Sequence, residues 1–233
     1  MIGAEALIRW RHPVQGILAP GAFIDTLAKS AIVLDVGRWI MHAACQRVAA
    51  WRALGLPVTR IGVNLFPTQA RAPGLLDDIE VALRNTGLPP EALELEITEN
   101  AAFNLEDPSP SLQNLHELGV KLAFDDFGTG YASLNYLTRF PVSRIKIDRS
   151  FVEKITANTK DAPIVSSLIA MAHKLGLKVI AEGVETEAQA AFLLKEGCEE
   201  AQGFLYSKPL PADEFARYLE RHRPVAKKSL GAA

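Results

Sequence analysis

The feature that most constrains this chain is an alternation. Short apolar runs rich in β-branched residues recur roughly every 20–35 residues, and a longer stretch of helical period follows each one. The strands expected are Ala4–Trp10, Arg60–Phe66, Leu93–Thr98, Val120–Phe124, Arg144–Ile147, Lys178–Ala181 and Ala201–Tyr206. Between them the helices expected are Val33–Leu54, Gly74–Thr86, Ser111–Leu118, Ala162–Leu175, Thr186–Lys195 and Ala212–Arg221. Gly55, Gly87, Gly119, Gly176 and Gly197 each follow a helical pattern, where a C-terminal cap wants positive φ. Parallel neighbours need a crossover of about a dozen residues or more, so this spacing predicts a parallel sheet with helices outside. No Gly-, Pro- or Ser-rich spacer divides the chain. One domain over 1–225 is expected, followed by a frayed, disordered tail over 226–233.

The 233 residues are 48% hydrophobic and 22% charged, which excludes global disorder. A formal net charge of -2 argues against a partner held by bulk positive potential, so no polymeric nucleic acid is expected. No run approaches the roughly 18–20 apolar residues of a membrane span, and MIGAEALIRWRHP does not read as a secretory signal. A cytoplasmic location is therefore expected. Cys45 and Cys198 are too few for a disulfide framework and are expected as small buried hydrophobes.

The polar residues choose between an open sheet and a closed barrel. Asn64, Glu96, Asp125, Lys146, Glu182 and Gln202 stand at strand ends, where fully buried strands should be apolar. Side chains from many strands converge at the C-terminal face of a (β/α)8 barrel, whereas the outer strands of an open sheet lie too far apart to share a site. The barrel is the expected fold. Glu5, Asn64, Glu96, Asp125, Asp126 and Glu182 form a hard-oxygen set without sulfur or imidazole, suited to Mg²⁺ or Mn²⁺. Such a cluster repels itself unless protons or divalent cations neutralise it. The adjacent pair Asp125 and Asp126 can reach two metals, an arrangement used for hydrolysis.

Glu5-Ala6-Leu7, within GAEALIRWRHP, resembles the signature of the EAL-domain cyclic di-GMP phosphodiesterases. The resemblance continues through VNLFP (Val63–Pro67), ELEITEN (Glu94–Asn100), FDDFGTGYASL (Phe124–Leu134), IKIDRSFV (Ile145–Val152), IAEGVET (Ile180–Thr186) and AQGFLYSKPLP (Ala201–Pro211). It implies a TIM-like barrel that hydrolyses cyclic di-GMP to linear 5′-pGpG by two-metal activation of water. One metal would sit on Glu5, Asn64, Glu96 and Asp125, and the second on Asp125, Asp126 and Glu182. Lys146 matches the family's lysine beside the attacking water, so Glu5, Lys146 and Glu182 are the catalytic expectation. Leu7, Arg9, Gln202 and Glu185 match substrate-side positions. Glu99 matches a glutamate that anchors the loop Asp126–Leu134, which in the family couples to dimerisation. Ca²⁺ is expected to inhibit.

The family's preceding strand, with its Tyr-Gln-Pro-like motif, has no counterpart before Gly3. The expected barrel therefore lacks that first strand, which points to a fragment, an alternative start or an oligomer covering the gap. A homodimer is expected, with a fused or removed N-terminal diguanylate-cyclase-like or sensory domain. Two competing readings are a receptor that binds cyclic di-GMP without cutting it, and a metal-dependent barrel enzyme of another class, such as an aldolase. Retention of every ligand and of Lys146 favours the hydrolase. His173 is expected as a core or boundary residue, Trp39 and Trp51 as packed residues of the long helix, and Glu196, Glu199 and Glu200 as a solvated acidic turn.

Overall fold

The structure, a computed structural model, describes residues 3–105, 110–129, 135–156 and 160–222. The expected tail and loop residues 130–134 lie outside the described residues. The strands in chain order are β1 (Gly3–Ala6), β2 (Trp10–His12), β3 (Gly16–Leu18), β4 (Arg60–Asn64), β5 (Leu93–Thr98), β6 (Lys121–Phe127), β7 (Arg144–Ile147), β8 (Lys178–Ala181) and β9 (Glu200–Ala201). Seven of them form one parallel sheet in the order β1-β4-β5-β6-β7-β8-β9, and β2 and β3 form a separate antiparallel hairpin. The sheet curls until its two edges approach. Gln202, directly after β9, donates through Nε2 to Glu5 Oε2 on β1 at 2.7 Å. The expected barrel is thus a seven-strand curl with a seam between β1 and β9.

Period-two alternation assigns the two faces of each strand. Ile61 and Val63, Leu93, Leu95 and Ile97, Leu122 and Phe124, Ile145 and Ile147, and Val179 and Ala181 are buried in one core with helix residues such as Ile79, Leu112, Val165 and Ile169. Each Val, Leu, Ile or Phe among them is worth about 1.5–3 kcal/mol when fully buried, so this outer layer holds the helices to the sheet. The helices follow the expected pattern: Val33–Ala53, Leu75–Thr86, Pro110–Leu118, Asp161–Lys174, Glu187–Lys195 and Ala212–Arg221. The five stop glycines all have positive φ, Gly87 for one at 67°. Thr186 caps its helix reciprocally with Gln189.

Two strands shift at their ends, β4 stopping at Asn64 rather than Phe66 and β6 running Lys121–Phe127 rather than Val120–Phe124, and three expectations need larger correction. The first strand ends at Ala6 rather than Trp10, because the chain leaves the sheet and turns into the β2–β3 hairpin at Gly16, φ 74°. The last strand is only Glu200–Ala201, since Gln202–Tyr206 turns away with Gly203 packed on the Val184 backbone. On the long helix the buried stripe is Val33, Gly37, Met41, Ala44, Cys45, Val48 and Trp51. At roughly 100° per residue Trp39 falls on the opposite side, and it is 61% exposed. Cys45 and Cys198 are both buried, as expected.

Candidate active site

The inner face of the curl is polar, unlike the branched aliphatic filling usual in such barrels. Residues two apart on each strand point inward and stack in two layers. Toward the C-terminal rim lie Glu5 on β1, Asn64 on β4, Glu96 on β5, Asp125 and Asp126 on β6, Lys146 on β7, Glu182 after β8 and Gln202 after β9. Asn64 Nδ2 donates to Glu5 Oε1 at 2.8 Å, so Glu5 is held from both sides by amides.

Lys146 is the centre of this layer and is 1% exposed. Its Nζ lies 2.7 Å from Glu96 Oε2, 2.8 Å from Glu182 Oε1, 2.9 Å from Asp125 Oδ1 and 3.8 Å from Glu5 Oε2. Burial alone would lower its pKa, but the charges of Glu96, Glu5, Glu182 and Asp125 outweigh it and hold the ammonium well above its ordinary value. Burial drives Glu96 upward against the pull of Lys146. Glu182 rises to about 7 by burial, relieved in part by Lys146 and reinforced by Asp125. Asp126 rises to about 6, by burial and then by the charge of Asp125. A single cation against five acids leaves the layer short of positive charge.

Asp125 and Asp126 would face opposite sides of a regular strand. Pairing between β6 and β7 is regular to Phe124↔Ile145, then shifts before Phe127↔Ile147. Within this bulge Asp126 takes φ 51°, a left-handed conformation that costs a non-glycine residue on the order of 1 kcal/mol. The bulge turns both carboxylates inward: one ligand oxygen each from Asp125, Asp126 and Glu182 lies within 4.8 Å of the other two. Asp125 Oδ1 and Glu182 Oε1 are buried, and Lys146 is the cation they meet, at 2.9 and 2.8 Å. Three hard carboxylates gathered this closely, in a layer short of positive charge, fit a divalent cation.

The other expected positions are more scattered. Glu99, buried at the start of the helix Glu99–Leu105, accepts from Gly128 N at 3.0 Å, at the beginning of the loop after the paired aspartates. Glu185 pairs with Arg149 at 3.1 Å, and its own N–H donates to Gln189 at 2.8 Å. Leu7 is 40% exposed. Arg9 is exposed, and its guanidinium donates to the carbonyls of Leu7 and Ile8 rather than to a carboxylate. His173, expected in the core or at its boundary, is exposed and faces Glu199 at 3.2 Å.

The second inner layer escaped sequence reasoning. Glu200, expected in a solvated turn, is instead bound by Arg60 Nη2 at 2.6 Å and Arg144 Nη2 at 2.9 Å. Glu94 takes Arg60 Nε at 3.0 Å and closes the ring with Arg144 Nη1. Glu199 is exposed, as expected, and accepts from Val179 N at 3.0 Å. Burial opposes the charge on Arg60, but the hydrogen bond to Glu200 and the Glu94 charge raise its pKa; the same guanidiniums lower that of Glu200 against its burial. A signal was present: LELEIT and RIKI alternate although a parallel sheet covered by helices should read apolar throughout, which marks a polar inner face. Gly62 was missed too. A Cβ there would lie 2.0 Å from Glu96 Oε1, so the glycine makes the space that the carboxylate fills.

A family model described as the EAL domain matches residues 1–209. The chain is 43% identical over 215 residues to the bifunctional diguanylate cyclase/cyclic di-GMP phosphodiesterase MucR of Pseudomonas aeruginosa, and 43% identical over 220 residues to the cyclic di-GMP phosphodiesterase NbdA of the same organism. These matches take in 92% and 94% of this chain but 31% and 28% of those proteins, so it spans about a third of their length. Among solved structures, the PaMucR phosphodiesterase in complex with c-di-GMP superposes with a TM-score of 0.87 at 42% identity, over 92% of this chain and 87% of that one. The FimX EAL domain from Pseudomonas aeruginosa bound to c-di-GMP gives 0.80 at 28% identity, over 88% and 82%. The shared fold and a family match running through every described strand lead to one conclusion: this chain belongs to the EAL domain family.

Proposed function

We propose that this chain is a metal-dependent phosphodiesterase module that cleaves cyclic di-GMP to linear 5′-pGpG. The observation that carries the reading is the meeting of Glu5, Glu96, Asp125, Asp126 and Glu182 with Lys146 at one rim, although the acids come from four strands spread over the sequence. The relatives named as cyclic di-GMP phosphodiesterases and the c-di-GMP complex support the substrate. Asp125, Asp126 and Glu182 would hold one Mg²⁺ or Mn²⁺, and Glu5, Asn64, Glu96 and Asp125 a second. Such ions, when bound, lower the pKa of water and neutralise phosphoryl charge.

The chain's own residues do the rest. Lys146, whose ammonium the surrounding carboxylates favour against its burial, would serve as a hydrogen-bond donor toward phosphoryl oxygen or the attacking water. Asn64 and Gln202 fix the Glu5 carboxylate. Glu185 and Leu7 would line the substrate side, and Arg9 could exchange its backbone partners for a phosphate, which suits a guanidinium fork. Glu99 would couple the site to the following loop through Gly128. A cytoplasmic setting, a homodimer and a fused diguanylate-cyclase-like or sensory domain belong to the same reading.

The test is incubation of the purified protein with cyclic di-GMP and Mn²⁺ or Mg²⁺, with chelator, Ca²⁺ and Glu5→Ala controls. Linear dinucleotide is expected only with Mn²⁺ or Mg²⁺ and intact Glu5. Binding without cleavage would replace the hydrolase by a receptor.

A further inference from the structure

The charged ring beneath the rim shares its strands with the site. Arg60 and Asn64 lie on β4, Glu94 and Glu96 on β5, Arg144 and Lys146 on β7, and Glu200 and Gln202 on and just after β9. Two strand residues separate most of these pairs, roughly 6–7 Å along the barrel. The ring is charge-balanced, two guanidiniums to two carboxylates, with side chains 1–14% exposed. It also crosses the seam. Gly3 on β1 is the ladder partner of Arg60, and a Cβ at Gly3 would lie 3.2 Å from Arg60 Nη2. With no side chain there, the guanidinium passes β1 and reaches Glu200 on β9, 140 residues away in sequence.

Among the described residues β1 and β9 share no backbone ladder, and side chains bridge them. Arg60–Glu200 ties it in the lower layer and Glu5–Gln202 in the upper. We propose that the ring Arg60–Glu94–Arg144–Glu200 is a positioning device. It sets the spacing across the seam and the stagger of β5 and β7, and so holds Glu5, Gln202, Glu96 and Lys146 where cations and substrate need them. A buried ion ring contributes little net stability relative to an apolar filling, but its forked geometry fixes orientation. Removing one partner strands a buried charge and lowers stability as well, so the positioning role is read in cation affinity and turnover of the folded variants, well below Tm. The catalytic consequence rests on the phosphodiesterase reading, whereas the effect on cation affinity does not.

The test compares the parent chain with Arg60→Lys, Glu200→Gln and the distant core control Ile79→Val. Arg60→Lys keeps the net charge and removes only the fork, so long-range electrostatics cannot account for its effect. Mn²⁺ affinity, kcat and KM for cyclic di-GMP, and Tm are measured for each. Both ring variants are expected to bind Mn²⁺ about 10-fold more weakly and to lose kcat about 10–100-fold with little change in KM. Ile79→Val should lower Tm yet keep affinity and kcat within twofold. Ring variants that behave like Ile79→Val overturn the proposal, as does failure of both to fold, which would make the ring a folding element. If the parent binds Mn²⁺ but never cleaves cyclic di-GMP, the hydrolase reading fails and the affinity comparison still decides the role of the ring.

Discussion

Replacing Gly62 by alanine would put a methyl group where the Glu96 carboxylate lies. The new Cβ would stand 2.0 Å from Oε1 and 2.9 Å from Cδ. An ordinary contact is about 3.5–4 Å, so the carboxylate or the strand must retreat by roughly 1 Å or more. The strand has little room, since β4 is laddered to β1 on one side and β5 on the other. Glu96 is 3% exposed and bound to Lys146 at 2.7 Å, so it cannot swing into water. Either that charged hydrogen bond goes, worth about 1.5–3 kcal/mol, or the strands part at an overpacking cost of about 1–3 kcal/mol. A loss near 2 kcal/mol lowers Tm by about 4–8 °C in a domain of this size and still leaves the protein folded at 25 °C. Displacing a metal-facing carboxylate by about 1 Å costs on the order of 100-fold in turnover. Gly62→Ala should thus stay folded by circular dichroism while losing Mn²⁺ affinity and kcat. A folded variant with both values within twofold of the parent would refute the argument that Gly62 exists to admit Glu96.

Glu5→Ala frees both Asn64 and Gln202 at the rim and is expected to abolish cleavage with the circular dichroism spectrum unchanged; surviving Mg²⁺-dependent product would count against Glu5 as a ligand. In the metal-free protein, Asp126 and Glu182 bind protons more tightly folded than unfolded, with pKa values raised to about 6 and about 7. Their contribution to stability is therefore greatest at low pH and is lost as pH rises from about 4 to about 8, the reverse of a salt-bridged carboxylate. Thermal melts across that window should show this downward trend in chelator and a flatter one in Mn²⁺, and identical slopes would contradict the shared cation site. Arg9→Ala should raise KM for cyclic di-GMP with kcat nearly kept, because Arg9 lies outside the ionic cluster; steady-state kinetics unchanged in both constants would remove it from the phosphate site.

Much of the fold was legible along the chain. The β-branched runs at Leu93–Thr98, Arg144–Ile147 and Lys178–Ala181 became strands with those bounds, because half of their side chains are apolar at period two and need helices to cover them. Glycines that end helices announced positive φ without help from distant residues. The acids at the strand ends were legible for the same local reason: strand termini on one side of a parallel sheet share a rim. Partner choice was not legible. Whether Glu200 faces water or two guanidiniums depends on where β9 settles against β4 and β7, and the contacts that decide it span 140 and 56 residues. Nor does local sequence say which stripe of the long helix meets the core and leaves Trp39 on the open side, that a bulge aims Asp125 and Asp126 the same way, or that Gly62 yields its volume to Glu96. Local sequence sets which face of an element is apolar, through dihedral preference and spacing. Only closure of the sheet brings charges from remote strands within a few ångströms, and there desolvation and Coulomb energy determine what each one does.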